Sequence, residues 1–158
     1  MRWAQLDTPI GELSYAVDDV GVCAVHFGPR PGAGPADDEV GDQLRAYFAG
    51  ELTAFSVPLH VLRGSEFERA VWEQMKLIPF GETRSYGAVA SAVGEPGGAQ
   101  AVGTACNRNP LPLIVPCHRI IGADGKLVGF GGGLERKRIL LELEAKVRME
   151  LEWRDFSS

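Results

Sequence analysis

The chain has 158 residues, 45% apolar and 23% charged, with a formal net charge of −5. This composition is that of a soluble globular protein with one core or two small units, and no apolar run approaches the ~20 residues that span a bilayer. The segment MRWAQLDTPIGEL lacks a signal-peptide core and the three cysteines, Cys23, Cys106 and Cys117, are too few for a disulfide framework. The expected setting is therefore the cytoplasm, away from membranes. Charge is uneven: residues 1–79 carry 6 Lys and Arg against 12 Asp and Glu (−6), and residues 80–158 carry 10 against 9 (+1). An acidic half beside a neutral one points to two tasks, and neither has the basic footprint usual for nucleic-acid binding.

In chain order, residues 2–27 read as strands. Leu13, Tyr15 and Val17 alternate with polar neighbours, Asp18-Asp19-Val20-Gly21 forms a turn, and VCAVHF is a second extended run. GPRPGAGPADD (28–38) is a loop on its glycines and prolines. A helix follows, with Val40, Leu44, Tyr47, Phe48 and Leu52 on one face. The first domain is thus a small α+β unit over residues 1–60, and residues 61–158 form a helical second domain.

In that second domain Phe67, Val71, Met75 and Ile78 make one helical stripe, stopped by Pro79 and Gly81. Ser85 is a good N-cap for a helix in which Val89 and Val93 face inward, and Gly94 is a natural stop. After Glu95-Pro96-Gly97-Gly98, AQAVGTACN gives a second short helix. Two short helices across a tight Gly-rich turn are a helix-turn-helix candidate. Ala99, Ala101, Gly103 and Ala105 would let the second helix approach another surface closely, whether a nucleic-acid groove or simply a neighbouring helix. Pro110, Pro112 and Pro116 then forbid helix and hold a stiff extended segment up to Cys117.

Cys117 is the residue most suited to chemistry. A free cysteine in apolar sequence is usually a small core residue, which is the reading for Cys23 and Cys106. Cys117 instead has proline before it, His118 after it and the glycine-dense GFGGG (129–133) downstream. A thiol near its ordinary pKa of about 8.5 is mostly protonated at neutral pH and needs a base, and that base needs a third group to orient it. His118 is the available base; spacing alone does not select the carboxylate.

IVPCHRI, the Asn-Pro pair beginning at residue 109, SYGAVA (85–90) and a GG-L loop leading into a last helix closely resemble the O6-alkylguanine-DNA alkyltransferases. TPIGEL and DQLRAYFAGEL resemble the N-terminal domain of the bacterial members, so the likeness runs along the whole chain. The resemblance implies an RNase H-like N-terminal α/β domain and a helical C-terminal domain with a helix-turn-helix. It implies that Cys117 accepts the alkyl group irreversibly, His118 takes the thiol proton through a water, and Glu144 orients the imidazole. Tyr86 would protonate the departing guanine, and Asn109 would hold the active-site segment. The pocket would be lined by Tyr86, Cys106, Val128, Phe130, Gly131 and Ile120, with the carbonyls of Cys117 and Ile120 and the N–H of Gly131 facing the base.

Ala99, Gln100, Ala101, Gly103, Thr104 and Arg108 would meet double-stranded DNA in the minor groove, with the damaged base flipped out. The resemblance further implies a monomer without a cofactor. Two positions depart from the family pattern: Gln100 replaces an arginine finger, and Phe130 replaces a tyrosine. Some members bind zinc through two Cys and two His; Cys23, His26 and His60 do not supply that set, so no metal is expected. A non-catalytic lesion-binding relative would lack Cys117. A cysteine hydrolase would turn over repeatedly, and a redox pair of Cys106 and Cys117 would lose two protons on oxidation.

Overall fold

The computed structural model describes residues 1–125, 127 and 132–157. Val128, Phe130 and Gly131, expected in the pocket, lie outside the described residues. The fold is mixed α+β and divides into two compact units, Met1–Gly64 with Pro110–Ile114, and Ser65–Asn109 with Val115–Ser158.

The first unit is built on a four-stranded sheet of β1 (Arg2–Thr8), β2 (Gly11–Val17), β3 (Val22–Phe27) and β4 (Gly34–Pro35). Its order is β3-β2-β1-β4, antiparallel except for the parallel β1–β4 pair. Three details differ from the periodicity. The alternation in β2 fails because Leu13, Ser14, Tyr15 and Ala16 are all buried; Ser14 meets the cost of burial by donating its hydroxyl to the Gly28 carbonyl at 2.7 Å. The Gly/Pro-rich loop contributes β4, whose Pro35 is tolerated on an edge strand. Helix α1 (Glu39–Phe48) starts at Asp38, which accepts from Gly41 N–H, and stops at Ala49 before Gly50 at φ 76°, so Leu52 falls beyond it.

The second unit opens with α2 (Glu66–Lys76), started by a full capping box between Ser65 and Glu68. Val71 and Met75 are fully buried, whereas Ile78 is buried just past the helix end. Ser85 caps α3 (Tyr86–Ala92) by accepting from Ala88 N–H. Val93 is the half-buried C-cap of that helix instead of an inward-facing helical residue. Gly94, at φ 83°, turns the chain toward α4 (Ala99–Asn107). The Trp72 indole N–H donates to the Ala105 carbonyl at 2.8 Å, tying α2 to α4. The segment before Cys117 ends in a 3-10 turn, Cys117–Arg119, and does not continue extended. Two short parallel strands, β5 (Arg84–Ser85) and β6 (Ile120–Ile121), join the start of α3 to the end of that turn. Helix α5 (Leu134–Ser157) closes the chain, and no helix among the described residues is long and apolar enough to cross a membrane.

Candidate active site

The β5–β6 pair gives the site its frame. Arg84 is registered with Ile120 and Ser85 with Ile121, so Tyr86, the first residue of α3, starts one step from strand residues that follow the Cys-His-Arg turn directly. Cys117 is 5% exposed and His118 and Glu144 are both fully buried. Glu144, the carboxylate that the resemblance names, lies against that imidazole, with His118 Nε2 2.7 Å from Glu144 Oε2.

Glu144 receives more than this one bond. Arg119 reaches it with a fork, Nε to Oε1 at 2.8 Å and Nη2 to Oε2 at 3.0 Å, and the Gly81 N–H donates to Oε1 at 3.1 Å. Burial by itself would push the Glu144 carboxyl up, but the hydrogen bonds and charges of His118 and Arg119 outweigh it and hold the group well below the ordinary carboxylate range. An ionised Glu144 has no proton to give, so Nε2 of His118 carries the hydrogen in this bond. The other ring nitrogen, Nδ1, has no hydrogen-bond partner among the described residues. Burial lowers the His118 pKa below its usual value against the upward pull of Glu144, with Arg119 and Lys137 pushing the same way as burial. The product is a buried neutral imidazole whose lone pair is presented on the residue next to the thiol.

The remaining expected residues divide by position. Asn109 is buried and donates its side-chain amide to the Val115 carbonyl at 2.9 Å, two residues before Cys117. Tyr86 is half-buried, and burial, then the Cys106 and Cys117 thiols, raise its hydroxyl to about 12. Cys106 is buried against Met75, Sγ to Sδ 3.9 Å, and burial raises its thiol to about 12, which makes it a poor nucleophile. Ile120 is fully buried, and its N–H bonds the Cys117 carbonyl, leaving that oxygen one lone pair.

On α4, Val102, Ala105 and Cys106 are buried whereas Gln100, Ala101, Thr104 and Arg108 are exposed and Ala99 and Gly103 half-buried. Gly103 faces the Tyr86 ring, where an added Cβ would stand 3.8 Å from the nearest ring carbon. Arg108 is exposed and ion-paired with Glu68 at 2.7 Å.

Two buried charged groups escaped the sequence reading. Arg119 stands inside the Cys-His-Arg motif, and its two-residue spacing from Cys117 was the available signal. Lys137 sits in what reads as a basic surface run, Arg136-Lys137-Arg138, yet Lys137 is fully buried with Nζ 5.7 Å from the Tyr86 ring centroid, and only Arg138 of the three is exposed.

Residues 66–146 match the family described as 6-O-methylguanine DNA methyltransferase, DNA binding domain. A methylated-DNA–protein-cysteine methyltransferase of Mycobacterium tuberculosis is 48% identical over 156 residues, covering 91% of this chain and 92% of its own. One from Methanosarcina acetivorans is 46% identical over 154 residues, covering 91% and 98%. The crystal structure of Mycobacterium tuberculosis OGT in complex with DNA superposes with a TM-score of 0.85 at 46% identity, covering 93% of this chain and 94% of that one. With a matching family model over half its length and relatives matched nearly end to end, the chain belongs to the 6-O-methylguanine DNA methyltransferase family.

Proposed function

We propose that this protein repairs DNA by moving the alkyl group of O6-alkylguanine, and of O4-alkylthymine, onto its own Cys117, once per molecule. The observation that carries the reading is the buried set Cys117, His118 and Glu144, in which the carboxylate fixes one imidazole nitrogen and the other, on the residue that follows the thiol in the chain, has no hydrogen-bond partner among the described residues. His118 Nδ1 takes the Cys117 proton through a bridging water. The thiolate sulfur then attacks the alkyl carbon, a carbon–sulfur bond forms, and the carbon–O6 bond breaks with its electron pair passing to the purine. Tyr86 gives its hydroxyl proton to the departing base, and the proton held by His118 restores it, so the thiol proton ends on guanine. The thioether has no ready hydrolysis, so the reaction is not reset.

In this reading the second unit is the DNA-binding and active-site domain. Helices α3 and α4 act as the helix-turn-helix, with α4 in the minor groove and Gln100 filling the gap left by the flipped base. Exposed Gln100, Ala101 and Thr104 support that assignment, and Arg108 would exchange Glu68 for a phosphate. Cys106, Ile120, Val128, Phe130 and Gly131 would line the pocket. The sheet order of the first unit, antiparallel through β3-β2-β1 and parallel at β4, supports an RNase H-like arrangement. The protein would act as a cytoplasmic monomer.

The test is intact-protein mass spectrometry after incubation with duplex DNA containing O6-methylguanine. A gain of one methyl group mapped to Cys117, and none in Cys117→Ala, is the expected result. Loss of the lesion with unchanged protein mass would refute the reading. The lesion-binding alternative is disfavoured by the thiol itself, since such a protein has no acceptor.

A further inference from the structure

Orienting an imidazole needs one hydrogen bond, yet Glu144 accepts from four donor groups on two separate stretches of chain. His118 Nε2 and the Arg119 fork come from the 3-10 turn, and the Gly81 N–H comes from the α2–β5 connection. Arg119 is 7% exposed, and its remaining amino group, Nη1, donates to the Ile78 carbonyl at 2.7 Å, so the guanidinium is anchored on both sides. Such a fork is geometrically specific in a way a lysine is not.

The charges set the consequence. A carboxylate held 2.7 Å from a buried imidazole favours the imidazolium, and an imidazolium cannot accept a thiol proton. Arg119 contributes one positive charge to the same two oxygens, so the pair presents hydrogen-bond geometry to His118 with little net charge. The other charged group acting on His118 from α5 is Lys137, also positive, and the buried residues of α2 (Val71, Trp72 and Met75) include no titratable group. On its own turn, His118 is flanked by Cys117 and Arg119.

We infer that Arg119 is a positioning residue whose guanidinium neutralises Glu144, so that the carboxylate fixes His118 as a neutral proton acceptor instead of converting it to an imidazolium. The inference rests on the reading of Cys117 as alkyl acceptor and extends it to a residue that touches neither substrate nor thiol proton.

The experiment uses the full chain with Arg119→Met, Arg119→Lys and the double variant Arg119→Met/Glu144→Gln. Two readouts are taken: the titration of the His118 ring nitrogens by NMR in the unreacted protein, and the second-order rate with free O6-benzylguanine across pH, normalised to reactive Cys117. In Arg119→Met the His118 midpoint should rise by about one unit or more, which lowers the rate roughly tenfold below that midpoint while the rate at alkaline pH approaches that of the parent. Arg119→Lys, which keeps charge without the fork, should move the midpoint less. The double variant removes both charges and should keep the midpoint as low as in the parent. A rate lowered equally at all pH values with an unmoved midpoint would overturn the inference and leave Arg119 a structural residue. Should Arg119→Met fail to fold, a raised midpoint in the double variant overturns it equally. Failure of the acceptor reading looks different: the methyl group maps away from Cys117, whatever the His118 titration shows.

Discussion

Replacing Asn109 by Ala tests whether the thiol is held in place by the amide that bonds the Val115 carbonyl. The bond is buried and 2.9 Å long, and Val115 itself is 2% exposed, so solvent cannot readily substitute for the lost donor. A neutral hydrogen bond contributes about 1 kcal/mol net, and a buried carbonyl left wholly unsatisfied costs up to about 3. Here the lower figure applies, because the Val115 oxygen still accepts the Cys117 N–H at 2.8 Å. Asn109→Ala should therefore lose about 1 kcal/mol of stability, or about 2–4 °C in Tm for a protein of this size. The more informative number is the rate. If that ~1 kcal/mol is also lost in the transition state as a misplaced sulfur, alkyl transfer slows about fivefold. Thermal melting gives the first quantity; the second-order rate with free O6-benzylguanine, per reactive Cys117, gives the second. A lower Tm with an unchanged rate would refute the positioning role and leave Asn109 as a structural tie.

Glu144→Gln should slow alkyl transfer without abolishing it and, by leaving the Arg119 charge buried without its partner, cost about 3 kcal/mol in denaturant unfolding; parental rate and stability together would remove Glu144 from the site. Acid should destabilise the fold in a defined window. The His118 pKa is lowered in the folded state, so the unfolded chain takes up the proton first, and stability present above the unfolded value of about 6.5 is lost as pH falls below it, at up to about 1.4 kcal/mol per pH unit. Melting temperatures of the parent and His118→Asn should run parallel above that value, and below it the parent should lose stability relative to the variant; an identical pH dependence in the two would exclude His118 as the source. Gln100→Arg adds a charge to the exposed face of α4, and should tighten duplex binding, steepen its salt dependence by roughly one phosphate contact and speed repair in duplex DNA while leaving the free-base reaction unchanged. Equal changes on both substrates would place Gln100 in the pocket and not at the DNA.

What the amino-acid sequence determined by itself was local. Ser85 and Gly94 bound a helix because capping is a matter of a few adjacent backbone groups, and both ends stand where the residues indicate. Three prolines keep 110–116 out of helix through covalent geometry alone, and the thiol and its candidate base are chain neighbours. Tertiary structure decided which distant charges join them. Glu144 and Lys137 are ordinary helical letters in a polar stretch, and nothing in a period of 3.6 distinguishes a carboxylate facing solvent from one fully buried 26 residues from its histidine. Strands of two residues, as in β5 and β6, are too short to carry any alternation, so the link between Tyr86 and the Cys-His-Arg turn becomes visible only in the fold. Position along the chain shows which groups have the chemistry to react; burial and long-range hydrogen bonds set their charge, and in the proposed reaction that is what lets His118 take a proton.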